Sequence, residues 1–160
     1  MIREDSFLRA YENFEPMQNQ SLVPRWCDNH FGIERDVFDD YRFWQRVGGQ
    51  SIWVTPKSFE VPNGVELVAV GMLVMRKPPP KGKPTTVFLQ RFGATAFRNV
   101  YTLTDDEAVA FLKREPLDIA PVDDKRGYAL VRTSERVVGC GRIDGNMLRS
   151  EIPKHWLAAL

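Results

Sequence analysis

Hydrophobic positions change their period along this chain. Phe7, Leu8, Tyr11 and Phe14 recur at helical spacing, as do Leu22, Trp26, Cys27 and His30. The second set ends at Phe31-Gly32-Ile33, where glycine supplies a stop. Asp36 to Asp40 predicts a cap or one short helical turn leading into Tyr41-Arg42-Phe43-Trp44. Val47-Gly48-Gly49-Gln50 predicts a hairpin turn, with Ser51-Ile52-Trp53-Val54 as a β-rich run after it. From Val65 to Arg76 apolar residues predominate, which predicts a long, largely buried strand with Gly71 at a bulge or close backbone approach. Lys77-Pro-Pro-Pro-Lys-Gly-Lys-Pro84 interrupts it, Thr85 to Phe92 reads as a strand again, and Gly93 ends that strand. Residues 65–92 are therefore expected to form a hairpin whose basic tip is held out by prolines.

The remainder opens on a sharp signal. Thr104-Asp105-Asp106-Glu107 is a capping box, followed by Ala108, Val109, Phe111 and Leu112 on a helix that Pro116 stops. Short strands are then expected at Leu117–Ile119, Gly127–Thr133, Val137–Ile143 and Met147–Ile152, separated by glycines and polar pairs. One short helix among several short strands predicts a small curled β-barrel.

Charge changes this picture. Residues 1–71 hold seven Lys/Arg against eleven Asp/Glu, and residues 72–160 hold fifteen against ten, although the whole chain carries only +1. Between Glu66 and Asp105 there is no acidic residue, but there are Arg76, Lys77, Lys81, Lys83, Arg91 and Arg98. A one-signed stretch in a neutral protein is a local electrostatic feature, and phosphate is its commonest partner.

Other classes fit poorly. The chain has no run of eighteen apolar residues and no hydrophobic leader in Met1–Ala10, so neither a membrane span nor secretion is expected. Its two cysteines, Cys27 and Cys140, read as reduced residues of a cytoplasmic protein. Cys27-x-x-His30 is half of a zinc spacing; Cys140 and His155 do not complete it with a second local pair. Gly139-Cys140-Gly141 lacks the third glycine and downstream acid of a dinucleotide loop, so its glycines either let strands pack closely or leave backbone open to a ligand. Asp39-Asp40 and Asp123-Asp124 fit no calcium loop. Tyr41, Phe43, Trp44 and Trp53 read first as core, with a base-stacking platform as the alternative. No cofactor motif is present, and no cofactor is expected.

The segments Thr104-Asp-Asp-Glu-Ala-Val-Ala-Phe-Leu-Lys, Gly127-Tyr-Ala-Leu-Val-Arg and Val138-Gly-Cys-Gly-Arg-Ile resemble a PUA-type RNA-binding domain. The closing Asp144-Gly-Asn-Met-Leu-Arg-Ser-Glu-Ile-Pro153 resembles the PUA-like module of Sun/Fmu-type rRNA 5-methylcytosine methyltransferases. Val65-Glu-Leu-Val-Ala-Val-Gly-Met-Leu-Val and Lys83-Pro-Thr-Thr-Val-Phe-Leu-Gln-Arg-Phe-Gly are similar to the pre-PUA domain of archaeal and eukaryotic ribosome-biogenesis factors. The nucleophilic cysteine, Pro-Cys motif and glycine-rich loop of the Sun/Fmu enzymes do not occur, so the resemblance implies RNA contact without catalysis.

The expectation is an α+β protein with an amino-terminal α/β pre-PUA-like domain over 1–97 and a small PUA-like β pseudo-barrel over 98–160. It would bind rRNA or tRNA as a non-catalytic accessory in ribosome biogenesis or RNA modification. The residues expected on RNA phosphates are Arg76, Lys77, Lys81, Lys83, Arg91 and Arg98, with Arg142, Arg149 and Lys154 from the barrel. Two alternatives stand beside this. One is a protein-interaction module docking on an RNA methyltransferase or ribosomal protein through the proline loop; the other is an enzyme acting on RNA or a nucleotide.

Overall fold

The computed structural model describes residues 14–62, 67–120 and 127–159. Of the residues expected on a first helix, Phe7, Leu8 and Tyr11 lie outside these, as do the Asp123-Asp124 pair and the first residues of the expected strand at Val65, whereas Phe14 begins a strand instead of continuing a helix. By backbone contacts the chain divides into two units. The first takes residues up to Trp26 and Arg35–Lys83; the second takes Cys27–Glu34 and Pro84 onward.

The first unit is built on a four-stranded antiparallel sheet: β1 (Phe14–Pro16), β2 (Tyr41–Arg46), β3 (Ile52–Pro56) and β4 (Met72–Met75), in that order. The β2–β3 hairpin turns where expected, at Gly48 with φ 72°. Trp44 and Thr55 are both buried, and the indole Nε1 donates to Thr55 Oγ1 at 2.8 Å. Phe14 packs edge-on against Trp53, and Trp44 against Phe59. The core reading of these aromatics holds for Phe43 and Trp44, whereas Tyr41 and Trp53 are partly exposed.

Helix α1 (Leu22–Phe31) passes from the first unit into the second. Asn19 opens it by taking the Ser21 N–H on its side chain, and Pro24 sits in the first turn, where its missing N–H costs no helical bond. Val23, Cys27 and Phe31 form its fully buried stripe. The glycine stop is as expected: Gly32 has φ 69° and its N–H closes on Asp28 O.

Two expectations are corrected. Residues 67–71 are not strand, and the long strand reduces to Met72–Met75. Gly71 does mark a close approach, since a Cβ there would lie 2.2 Å from Val54 O. Thr86–Phe92 is a helix, α2, and not the return strand of a hairpin. Thr85 caps it by accepting from Phe88 N, and Phe88, Leu89 and Phe92 share its buried side at helical spacing. Valine and phenylalanine imitate a β-run here, but the cap and the helical stripe decide the outcome.

The second unit curls a five-stranded sheet into a half-barrel. Its strands are β5 (Val100–Thr102), β6 (Leu117–Asp118), β7 (Gly127–Arg132), β8 (Val137–Asp144) and β9 (Met147–Ser150), in the order β5-β7-β8-β9-β6. Only the β5–β7 pairing is parallel among the described strands. Helix α3 (Asp105–Leu112) begins with the expected capping box: Thr104 Oγ1 accepts from Glu107 N while Glu107 Oε2 accepts from Thr104 N. Its Ala108 and Phe111 join Ala129, Val131, Ile143, Leu148 and Ile152 in one buried cluster.

Helix α2 lies against β8. A Cβ on Gly139 would meet Thr86 Cγ2 at 2.7 Å and Oγ1 at 2.8 Å, so this glycine serves close packing. Thr86 Oγ1 also accepts the Cys140 N–H, and Gln90 Nε2 donates to Val138 O.

Candidate nucleic-acid interface

Within the second unit, two adjoining grooves meet at the β7–β8 hairpin. The apolar one, about 370 Å³, is bordered by Val109 and Leu112 of α3, Val138 of β8, Gln90 of α2 and Trp156. The other, about 240 Å³, is lined by Arg132, Arg136, Thr102 and Ser134. Thr133, Glu135, Arg136 and Val137 border both.

Local bonding fixes these walls. Thr133 Oγ1 accepts from the backbone of Glu135 and Arg136, and Thr133 N donates to Arg136 O at 2.9 Å. Arg132 Nε donates to Thr102 Oγ1 at 3.4 Å, which ties β7 to β5 by side chains as well as by backbone. Arg114, at φ 65°, ends α3 in the left-handed region and donates its guanidinium to Ile152 O. That bond anchors the segment leading to the short 3-10 helix Lys154–Ala159, which carries Trp156. Val109 is 50% exposed although the opposite side of α3 is core, leaving an apolar shelf open to solvent.

The electrostatics are mixed. Asp105 and Glu135 stand on the same grooves as Arg132 and Arg136. An apolar slot beside a pair of guanidinium groups suits an unstacked base with its phosphate, since arginine offers planar paired donors and the shelf offers a face for stacking. Sequence reasoning passes over Arg132, Arg136 and Trp156. The available signal is the hairpin Thr-Ser-Glu-Arg between two strands of the expected barrel.

All nine residues expected on phosphates are exposed. Arg76, Lys77, Lys81 and Lys83 belong to the first unit, after the end of β4. Arg91 lies in the last turn of α2, not on a strand beside the proline loop. Arg98 places its guanidinium 5.2 Å from the Phe97 ring centre and donates to Asn29 O. Arg142 and Arg149 are direct cross-strand partners, each held by a carboxylate: Arg142 by Glu151 at 3.7 Å and Arg149 by Asp144 at 3.4 Å. Lys154 starts the final 3-10 helix. The acid-free interval is thus divided between the units, four cations to two. Its proline loop folds back, with Gly82 N donating to Pro78 O, and so lacks the extended form that polyproline docking uses.

The other candidate chemistry resolves into packing. Cys27 and Cys140 are fully buried, and burial pushes the Cys27 thiol well above its ordinary range. His30 Nε2 lies 2.7 Å from Tyr128 O. Among the described residues, no group of three His, Cys, Asp or Glu is placed to hold a metal ion, and no helix is long and apolar enough to cross a membrane.

Comparison with known families finds two matches. Residues 13–71 match a family of unknown function, DUF7122. Residues 98–158 match the PUA domain of the methyltransferase RsmF. No curated protein matches the chain. The capped helix, the curled sheet and the second match agree that residues 98–158 are PUA-like and similar to the PUA domain of that methyltransferase.

Proposed function

We propose that the chain binds structured RNA, rRNA or tRNA, as a non-catalytic accessory factor in ribosome biogenesis or RNA modification. The match of residues 98–158 to the RsmF PUA domain carries this reading. The arginine-lined groove beside an apolar shelf on those same residues supports it. Arg132 and Arg136 take phosphates, and Trp156 with Val109 takes a base. Arg76, Lys77, Lys81, Lys83, Arg91, Arg98 and Lys154 add backbone contacts, whereas Arg142 and Arg149, already paired to carboxylates, add less. An RNA methyltransferase acting on the same RNA is the partner this reading names.

The test is fluorescence anisotropy of the full chain with labelled tRNA and an rRNA stem-loop across a salt series. Arg132→Glu with Arg136→Glu should flatten the log–log salt slope by about 1.4–1.8, the share of two phosphate contacts. Trp156→Ala should cost about 1–3 kcal/mol of binding if a base stacks there. Charge reversal of Lys81 and Lys83 should weaken all RNAs evenly. Affinity that is flat in salt and indifferent to these substitutions would overturn the reading.

A further inference from the structure

The first unit, most of which matches a family of unknown function, carries a cleft of about 640 Å³. That size falls within the range of about 300–1,000 Å³ usual for small-ligand sites. Its floor is apolar and buried: Met17, Phe38 and Phe43. One wall is fixed by Gln20, whose amide nitrogen donates to Met17 O and Phe43 O while its oxygen accepts from Phe43 N, each at 2.8 Å. Met17 N bonds Phe43 O as well, so the strand and the approach to α1 are sewn together before any ligand arrives.

The rim has a definite sign. Arg35, Arg42 and Lys57 border the cleft against a single carboxylate, Asp39. Among the described residues neither Arg42 nor Lys57 is engaged in an ion pair. Tyr41 lies on the same wall, partly exposed. The β2–β3 register sets Tyr41 opposite Pro56 and Arg42 opposite Thr55, and Lys57 follows immediately, its N–H bonded to Asp40 O. Tyr41, Arg42 and Lys57 all border the cleft from these two paired strands.

An aromatic wall over an apolar floor, with cations outnumbering acid three to one at the rim, complements a ligand that is flat and apolar at one end and anionic at the other. A nucleotide has that form, because every base offers a stacking face beside its phosphate. We infer that this cleft is a second RNA-binding site, holding an unpaired nucleotide with its base against Tyr41 and its phosphates at Arg42, Lys57 and Arg35. The inference rests on the RNA-binding reading of the PUA-like domain, whose RNA it would share. A second contact on one chain raises affinity through effective concentration without any new fold.

The test uses the full wild-type chain and a uridine-rich RNA of about ten nucleotides carrying 4-thiouridine, a length within single-strand site sizes. Photocrosslinking with peptide mapping should place an adduct in the segment around Tyr41–Phe43. That adduct should persist when Arg132 and Arg136 are both changed to Glu. Arg42→Gln with Lys57→Gln should weaken this oligonucleotide about tenfold and flatten its salt slope by about 1.4. Adducts confined to residues 98–158, with binding unchanged by the cleft variant, would overturn the cleft site and leave the PUA reading standing. Cleft substitutions that abolish capture of an acidic peptide but not of RNA would overturn it likewise. No binding of any RNA by the wild-type chain would remove both. The position of the adduct is read first on the unaltered protein, and an unchanged urea midpoint of the Arg42→Gln/Lys57→Gln variant separates lost binding from lost folding.

Discussion

Gly139→Ala is the most demanding test of how the second unit is packed. The backbone there is compatible with alanine, since Gly139 is not among the residues with positive φ. Any cost must come from the added methyl, which would meet Thr86 Cγ2 at 2.7 Å, Thr86 Oγ1 at 2.8 Å and Ile152 Cγ1 at 3.2 Å. Thr86 is 3% exposed and cannot swing into solvent. Overpacking of this kind costs about 1–3 kcal/mol. Displacing Thr86 also loses its bond from Cys140 N, at 3.3 Å, worth about 0.5–1.5 kcal/mol. The expected loss is about 2–4 kcal/mol, with the urea midpoint falling at unchanged m-value. Thr86→Ala supplies the control, because it removes both clashing atoms. The double variant should therefore be more stable than the sum of the singles predicts, with a coupling of about 1–2 kcal/mol. RNA affinity should fall as well, because α2 carries Gln90 to the wall of the apolar groove through its bond to Val138 O. A change below about 0.5 kcal/mol, or strict additivity with Thr86→Ala, would refute the packing argument.

Two further outcomes follow from buried polar groups. Thr55→Val strands the Trp44 N–H and should cost about 1–3 kcal/mol in urea unfolding, whereas Trp53→Phe removes an N–H with no acceptor among the described residues and should cost less. Cys27, raised by burial, keeps its proton in the folded chain at pH values where the unfolded chain releases it. Stability should thus be insensitive to this group below about pH 8 and fall by up to about 1.4 kcal/mol per pH unit above the ordinary thiol range. Thiol titration should show Cys27 reacting only on unfolding.

The sequence is legible where a local rule and a burial pattern agree. Thr104 and Glu107 specify their helix by reciprocal bonds within four residues, and Gly32 stops α1 because the chain needs a left-handed residue there. The strands from Gly127 to Ser150 fall within a few residues of their expected places. Thr86–Phe92 is not legible in this way, because its apolar Val87, Phe88, Leu89 and Phe92 are too few to fix a period and its β-rich composition outweighs the cap at Thr85. The run Leu67 to Val70 misleads for another reason, being hydrophobic without forming strand. There Leu67 and Val70 pack with Phe14 and Trp44, which an irregular segment does as well as a strand.

The candidate sites expose a different gap, between charge along the chain and charge in space. The acid-free interval stands out because its cations are close in sequence, yet they are divided between two units. The cations of the first unit's cleft escape such a scan because Asp36, Asp39 and Asp40 separate Arg35 from Arg42. The fold sorts these charges. Residues 35–38 wind into a 3-10 turn, closed by Asp39 N on Asp36 O, and the chain then enters β2 with Asp40 O bonded to Lys57 N. Neither Asp36 nor Asp40 lines the cleft, whereas Arg35, Arg42 and Lys57 all do. Only Asp39 remains there, so a segment of mixed sign in sequence presents a cationic rim. A run of like charge predicts a field only when its residues share a face, and a mixed run hides one whenever turns sort its signs. Substituting Arg42 and Lys57, rather than the more conspicuous lysines of the proline loop, is therefore the sharper probe of what the first unit binds.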